Sequence, residues 1–336
     1  MKTKLTLLTL LIIAAVGAKA QNLIAVQHAG KSAFYTKLPD AITGALAGDT
    51  VYVPGGSFDG ITISKKLCLI GAGHNPDSTK VTSRTTISSI TFGKGADYGS
   101  ITGIYVLQMQ RSGPFSNYAI SRCKINSLSF GTFASDSLNN FSLNENIIGS
   151  LLVYGTNNYF NNNVFMGLIQ IIDLGTINYT IVKNNVFLGI GGNFFYRDHC
   201  IVENNLFEQN TSTISTTYGD NNIFFNNLMI GNGQYGKNQG NGNYQDNVLL
   251  STVFIHYDPS NVDGDTIYKQ DFNLPPGSPY KNAGTDGTDL GIYGGAFPWK
   301  PGSLPSNPHF QSINIAPTTD ASGNLKVQIT VAAQDH

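Results

Sequence analysis

The sequence predicts an all-β solenoid, in which a coil of short parallel strands rests each turn on the one before. A segment of about 20 residues recurs with two asparagines inside an apolar stretch, as in VKNNVF at 182–187 and VENNLF at 202–207. The repeats are rich in β-branched and aromatic residues and poor in the residues that favour helices. Only 12 % of the residues are charged, whereas Gly (37) and Asn (35) are abundant.

Aligning the chain on the second asparagine of each pair gives a mean spacing of about 21 residues, and units of this size must stack to bury their apolar side. Apolar residues lie three before and two after this asparagine, as Val182 and Phe187 do around Asn185, and we expect both to point inward. Asparagine tolerates the left-handed backbone of a corner, and its stacked side chains can form a hydrogen-bonded ladder. The predicted ladder residues are Asn146, Asn163, Asn185, Asn205, Asn227 and Asn247, with Cys123 at the preceding equivalent position.

Both ends of such a solenoid need a cap. From about residue 50 to 290 the spacing predicts roughly 11 or 12 coils, and an uncovered end would leave a bare sheet edge. The segment KLPDAITGALAGD favours a short amphipathic helix from Leu38 to Leu46, followed by a strand at 51–53. We expect this helix to cover the N-terminal opening.

The first 20 residues have the pattern of a secretory signal peptide. Two lysines precede the apolar run 5–17, and the tripeptide AKA at 18–20 is a small-x-small cleavage site. Removing these residues takes away three lysines and no acid, so the net charge changes from −1 to −4, which argues against nucleic acid as a partner. No second long apolar run follows. The mature chain, 21–336, is therefore expected to be exported and not to span a membrane.

The β-helix domain, 21–300, is followed by a Pro-rich connector and a tail, 301–336. HFQSINIA (309–316) and NLKVQITVAA (324–333) alternate apolar and polar residues and are predicted to pair as a β-hairpin. We expect this hairpin to cap the last coil. The alternative is that the tail mediates attachment to another surface.

Two segments resemble a known family. The run YTKLPDAITGALAGDTVYVPGGSFDGITISKKLCLIGAG is similar to the opening of pectin-lyase-like right-handed parallel β-helix proteins, with their helix, G-D-T strand, P-G turn and K-x-L-x-L-I-G-x-G coil. GSPYKNAGTDGTDLGIYGG at 277–295 resembles their closing coil. The resemblance covers roughly residues 30 to 300 and implies a single-stranded right-handed parallel β-helix, without implying one activity.

The candidate catalytic residues are Arg197, Asp198, His199 and Asp220. Asp198 and Asp220 each lie seven residues before a ladder asparagine, so we expect them one coil apart as neighbours. Paired carboxylates beside Arg and His could perform acid–base chemistry or bind a hard cation such as Ca²⁺. The alternative is that Arg197 only neutralises two acids in a stack of turns.

RDHCIVENNLF resembles the Arg-bearing coil of the alginate and chondroitin lyases of this fold. Those enzymes also carry a Glu-rich metal coil and a catalytic lysine upstream, whereas 168–185 here supplies only Asp173 and Lys183. The paired Asp motifs, G-H-G and R-I-K of polygalacturonases are absent, and so is the R-x-P-x-x-R of pectate lyases. No catalytic role is carried over from these families.

Other polar and reactive residues favour structural roles. Lys183 and Glu203 each precede a ladder asparagine by two residues and are expected to form an ion pair across coils. The three cysteines are far apart in the sequence, and we expect Cys123 and Cys200 to be buried free thiols. Tyrosines that could stack on sugar rings are Tyr154, Tyr159, Tyr196, Tyr235 and Tyr244.

Three functions are consistent with the sequence. The favoured hypothesis is an exported protein that binds polysaccharide at the cell surface or outside the cell, because no lyase or hydrolase motif set is complete. The second is a polysaccharide lyase or glycoside hydrolase acting on acidic glycans. The third is a structural or adhesive rod without a ligand. No cofactor is expected apart from the possible Ca²⁺, and the sequence does not specify an oligomeric state.

Overall fold

The computed structural model describes residues 23–131, 138–173, 179–188, 200–208, 222–230, 240–246 and 250–333. Within these ranges the chain winds as a right-handed solenoid of parallel strands with about seven turns, which confirms the predicted fold class. The prediction of 11 or 12 coils is wrong. The last parallel strand ends at Asp246, and the chain then packs on the outside of the stack.

The described strands, numbered in chain order, are β1 (Ile24–His28), β2 (Lys31–Tyr35), β3 (Thr50–Tyr52), β4 (Gly56–Phe58), β5 (Ile61–Ile63), β6 (Cys68–Ile70), β7 (Thr85–Phe92), β8 (Ser100–Thr102), β9 (Tyr105–Arg111), β10 (Ala119–Ser121), β11 (Lys124–Phe130), β12 (Ser142–Asn144), β13 (Ile147–Gly155), β14 (Tyr159–Asn161), β15 (Val164–Phe165), β16 (Ile169–Asp173), β17 (Thr180–Lys183), β18 (Val186–Phe187), β19 (Cys200–Glu203), β20 (Leu206–Glu208), β21 (Ile223–Phe225), β22 (Leu228–Ile230), β23 (Tyr244–Asp246), β24 (His309–Ile315) and β25 (Val327–Ala332). The helices are α1 (Leu38–Gly44), α2 (Leu250–Val253) and a 3₁₀ helix (Thr266–Lys269).

Two long sheets form the walls of the solenoid. The first has the order β2-β1-β3-β6-β8-β10-β12-β14-β17-β19-β21 and is parallel from β3 onward. The second runs from β4 and β5 through β7 to β23 and is parallel throughout. Equivalent residues of successive coils lie opposite one another, as Leu143, Phe160 and Val182 do in the first sheet. This register is the geometric counterpart of the sequence repeat.

The core is a set of stacked columns, one for each inward position of the repeat. Phe165, Phe187 and Phe207 stack with ring centroids 4.8 and 4.6 Å apart. Val182 and Val202, three residues before their ladder asparagines, are fully buried in the same core. The predicted inward positions are therefore confirmed, and each coil supplies the surface on which the next one packs.

The N-terminal end of the stack is covered as predicted in outline. Helix α1 buries Leu38, Ala41 and Ile42 against the first coils. It ends at Gly44, two residues before the predicted end. Strands β1 and β2 add an antiparallel hairpin to the first sheet, so that the short strand β2 replaces β3 as its outermost strand.

A second apolar cluster lies on the outer face of the second sheet. The residues directly after the ladder asparagines point away from the core, yet Val164, Val186, Leu206 and Leu228 are buried. They pack against side chains from the segment 253–292. This segment therefore covers the outside of the second sheet instead of forming more coils.

Residues 283–306, here called the strap, run back along one corner of the solenoid towards its N-terminal end. Strap carbonyls meet successive coils in reverse order, Ala283 at Asn226, Gly291 at Asn184 and Leu304 at Arg122. Pro305 then lies against Gly103 in an early coil. The expectation that 277–295 forms a closing coil is wrong, because this segment lies beside the coils.

Strands β24 and β25 form the predicted hairpin, with Ile313 opposite Ile329. The hairpin does not cap the last coil, and that expectation is wrong. The strap carries the chain back, so that Phe310 and Ile313 line a groove with Leu23 and Tyr52 at the first coils. In the ranges given above, no helix has the length and apolar character required to cross a bilayer.

Candidate functional site

A ladder of buried hydrogen bonds fixes the corner between the two sheets. The Oδ1 atom of Asn185 accepts hydrogen bonds from the backbone N–H and the side-chain amide of Asn163, at 2.9 and 3.0 Å. Asn185 donates in the same way to Oδ1 of Asn205, at 2.8 and 2.9 Å. The described ladder runs through Cys123, Asn146, Asn163, Asn185, Asn205 and Asn227.

The next ladder position belongs to Asn243 and not to Asn247. The Oδ1 atom of Asn243 accepts from the backbone N–H and the side chain of Asn227, both at 3.1 Å. The prediction for Asn247 is wrong because Tyr244 lies opposite Leu228, which makes the last coil four residues shorter than the alignment assumed. Asn247 itself lies outside the described residues.

The first asparagine of each pair binds the strap. Asn162, Asn184 and Asn204 have φ values of 55°, 55° and 60°, in the left-handed region that asparagine tolerates. The amide of Asn162 donates to the carbonyls of Ile292 and Gly294, at 2.9 and 2.8 Å. The two asparagines therefore have separate tasks, because the second stacks along the axis while the first holds the strap.

Two earlier coils hold the strap with charges instead of amides. Arg122 and Glu145 occupy the corner position of Asn162, with φ values of 49° and 57°. Their side chains are buried and form an ion pair of 3.2 Å, and Arg122 also donates to the carbonyl of Leu304 at 3.0 Å. Burial raises the pKa of Glu145, although the neighbouring Arg122 acts against that shift.

The strap and the outer face of the first sheet enclose a cleft of about 450 Å³. On the strap side it is lined by Phe297 and Ser306. Phe297 is 59 % exposed, and Tyr159 on the sheet side is 37 % exposed. The remaining sheet residues that line the cleft are small and polar, namely Ser100, Thr102, Ser121, Ser142, Asn144 and Asn161.

The polar residues of the cleft repeat with the coils. Thr102, Ser121, Asn144 and Asn161 lie opposite one another on adjacent strands. Adjacent strands are about 4.8 Å apart, so the cleft offers one hydroxyl or amide group per step. The amide of Asn161 donates to Oδ1 of Asn144 at 3.2 Å, and both residues line the cleft.

The charges beyond one end of the cleft neutralise each other. Lys183 lies in the column that continues from Asn161, and it pairs with Glu203 at 3.0 Å and with Asp286 of the strap at 3.1 Å. The predicted ion pair between Lys183 and Glu203 is thus present. Burial disfavours the charged form of Lys183, but the hydrogen bonds and charges of Glu203 and Asp286 outweigh this effect and raise its pKa.

The predicted catalytic residues Arg197, Asp198, His199 and Asp220 lie outside the described residues, and so do Tyr196 and Tyr235. The acid–base and Ca²⁺ hypotheses for them stay predictions. Among the residues that the structure does describe, no group of three or more His, Cys, Asp or Glu side chains could hold a metal ion. Cys123 and Cys200 are buried thiols outside any disulfide, as expected.

Sequence reasoning missed a buried polar cluster beneath the 3₁₀ helix. Nδ1 of His74 lies 2.7 Å from the hydroxyl of Tyr268, a residue 194 positions away. The ammonium of Lys124 lies 5.3 and 5.0 Å from the ring centroids of Tyr105 and Tyr268. Burial, and then the charges of Lys124 and Arg84, lowers the pKa of His74 to about 3. The cluster joins the segment 264–268 to the second sheet.

Comparison with known proteins adds no relative. No protein-family model matches the sequence, and the comparison with curated proteins found no match either. The resemblance to pectin-lyase-like proteins therefore stays a prediction from two sequence segments, whereas the right-handed β-solenoid is a property of the structure.

Proposed function

We propose that this protein acts outside the cell and binds a polysaccharide chain in the cleft between the first sheet and the strap. The observation that carries the proposal is the combination of a regular row of hydroxyl and amide groups with two exposed aromatic rings, Tyr159 and Phe297. Binding sites for small ligands and sugars pair apolar surface with a few oriented polar groups in this way.

The two walls of the cleft would make different contacts with a sugar. The row from Thr102 to Asn161 presents donors and acceptors that match sugar hydroxyls along an extended chain. The rings of Tyr159 and Phe297 offer flat apolar faces, and tyrosine adds a polar hydroxyl at the edge. A chain lying across the coils would therefore meet one hydroxyl or amide group at each step.

The paired charges favour an uncharged glycan. Arg122 is already bound to Glu145 and to the carbonyl of Leu304, and Lys183 is bound to two carboxylates. A glycan carboxylate would compete with these partners, and breaking the buried Arg122–Glu145 pair is costly. We therefore expect tighter binding of neutral than of acidic polysaccharides.

Affinity measurements on soluble neutral and acidic polysaccharides test the proposal. We expect Tyr159→Ala and Phe297→Ala each to weaken binding about tenfold, or roughly 1.4 kcal/mol. The matched control is Phe34→Ala, because Phe34 is an exposed aromatic on β2 outside the cleft. If no polysaccharide is retained, or if the control weakens binding equally, the cleft is not the binding site.

The alternative function, a polysaccharide lyase, is tested by a separate activity assay. A lyase would release unsaturated sugar ends from acidic polysaccharides, which absorb in the ultraviolet. If such products form and Arg197→Ala and Asp198→Ala abolish them, the protein is an enzyme with its site on those residues. The absence of both binding and cleavage would favour the structural rod.

A further inference from the structure

The C-terminal hairpin has an uncovered apolar face. Strands β24 and β25 pair only with each other among the described strands. The cross-strand pairs Phe310–Val331, Ile313–Ile329 and Ile315–Val327 lie on one face, and these six side chains are 43–55 % exposed. On the other face, the pairs Ser312–Thr330 and Asn314–Gln328 are polar.

Such a hairpin needs a second layer. A two-stranded ribbon is at best marginally stable in water, and an apolar sheet face is normally packed against another element. The coils of the same chain do not supply that layer, since a groove of about 470 Å³ separates Phe310 and Ile313 from Leu23 and Tyr52 at the first coils. Leu23 and Val81 on the coil side of this groove are exposed as well.

We propose that a second copy of this chain covers the face, so that two molecules associate through their hairpins. Two flat ribbons can pack face to face with interdigitating side chains, as the sheets of a β-sandwich do. At their observed exposure the six side chains present on the order of 550 Å² per copy, and about 1,100 Å² for two copies is enough for a specific interface. The exposed residues Leu23 and Val81 line the same groove as Phe310 and Ile313.

The charges of the hairpin permit self-association. Between residues 309 and 332 the charged side chains are Asp320 and Lys326, together with His309. Asp320 lies in the turn and accepts hydrogen bonds from the backbone N–H groups of Ser322 and Asn324. No like charges therefore oppose each other at the centre of a two-fold interface.

The chemistry of the face argues against other occupants. Segments that bind membrane surfaces combine apolar residues with several Lys or Arg and often Trp, whereas 309–332 contains one lysine, no arginine and no tryptophan. A sugar site needs polar groups among its aromatic rings, and this face is aliphatic apart from Phe310.

Analytical ultracentrifugation of the purified protein tests the proposal. At about 50 µM we expect the wild-type chain to be mostly dimeric, as a dissociation constant in the micromolar range implies. The double variant Ile313→Thr/Ile329→Thr replaces one apolar cross-strand pair and keeps β-branched residues that favour strands. We expect its dimer to dissociate at least tenfold more readily.

The matched control is Asn314→Thr/Gln328→Thr, which makes the same replacement in the neighbouring pair on the polar face. This control should remain dimeric, and all three proteins should have the same far-UV circular dichroism. A monomeric wild-type protein, or a dimer unaffected by the Ile313 and Ile329 replacements, would overturn the proposal. So would sedimentation of the monomer with phosphatidylglycerol vesicles that those replacements abolish, since a lipid surface would then be the occupant.

Discussion

The substitution Asn185→Ala tests whether the ladder holds the coils together. Asn185 lies in the middle of the described ladder, and its side chain is fully buried. Its Oδ1 accepts two hydrogen bonds from Asn163, and its amide donates to the carbonyl of Phe160 at 2.7 Å and to Asn205 at 2.9 Å. Asn185 does not have a positive φ, so alanine fits the backbone without strain.

The expected loss of unfolding free energy depends on which polar groups keep a hydrogen-bond partner in the variant. The amide of Asn163 still donates to the carbonyl of Leu143 at 2.8 Å, and Asn205 still accepts from the backbone N–H of residue 185. The backbone N–H of Asn163 loses the acceptor it has now, in a corner closed to water. An unsatisfied buried donor costs about 1–3 kcal/mol and each of the three further lost bonds named above about 1 kcal/mol, so we expect a loss of about 4–6 kcal/mol of unfolding free energy.

Equilibrium unfolding in urea measures this loss, with far-UV circular dichroism reporting the sheets and the single tryptophan, Trp299, reporting the strap. The control is Asn161→Ala on the preceding coil, where the half-buried side chain donates to Oδ1 of Asn144 at 3.2 Å. We expect the control to lose less than about 1 kcal/mol. Equal losses of unfolding free energy in the two variants would refute the reasoning, because burial of the ladder would then contribute nothing to stability.

Three further predictions concern the strap and two buried groups. Asn162→Gly keeps the left-handed corner but removes two hydrogen bonds to the strap, so limited proteolysis should cut the strap faster and Trp299 should become more exposed. The control Asn140→Gly has the same φ of 55° on an exposed corner, and equal proteolysis of both variants would contradict the assigned role. The pKa of His74 is lowered to about 3 by burial and by nearby cations, below its usual value of 6.5, so the unfolded chain binds a proton first as the pH falls. The unfolding free energy should therefore fall as the pH is lowered from 6.5 to 3, and it should fall more steeply in the wild-type protein than in His74→Phe. Urea titrations at several pH values measure it, and the same pH dependence in both proteins would contradict this prediction. Burial raises the pKa of the Cys123 thiol to about 12, so iodoacetamide at about pH 8 should leave it unmodified in the folded protein and modify it after unfolding. Detection of modified Cys123 in the folded protein by mass spectrometry would be the contrary result.

The repeat made the interior of the solenoid predictable. The spacing of Val182, Phe187 and Asn185 reports directly on which side chains stack, because the same contact recurs in each coil. The number of coils was harder to predict, because the segment 253–292 covers the outside of the second sheet instead of adding coils. Val186 follows Asn185 in an unbroken apolar run, and such runs are typical of strands buried on both faces. This was the signal that another part of the chain covers the second sheet.

The strap and the cleft left weaker signals in the sequence. Asn162 binds backbone carbonyls about 130 residues away, and a carbonyl carries no side-chain signature. The cleft is built from Ser, Thr and Asn at outward strand positions, and these residue types are common on any exposed sheet face. Its shape depends on where the strap places Phe297, which only the tertiary structure specifies.

The strap also changes how the array should come apart. In a repeat protein each unit touches only its neighbours, so terminal units can fray while the middle stays folded. Here the strap is hydrogen-bonded to corners from Asn226 down to Arg122. Unfolding of the last coil therefore also weakens the contacts that the strap makes with the earlier coils. We expect the described coils to unfold in a single cooperative transition. After a cut between Ala283 and Leu304, we expect them to unfold sequentially from the C-terminal end of the stack.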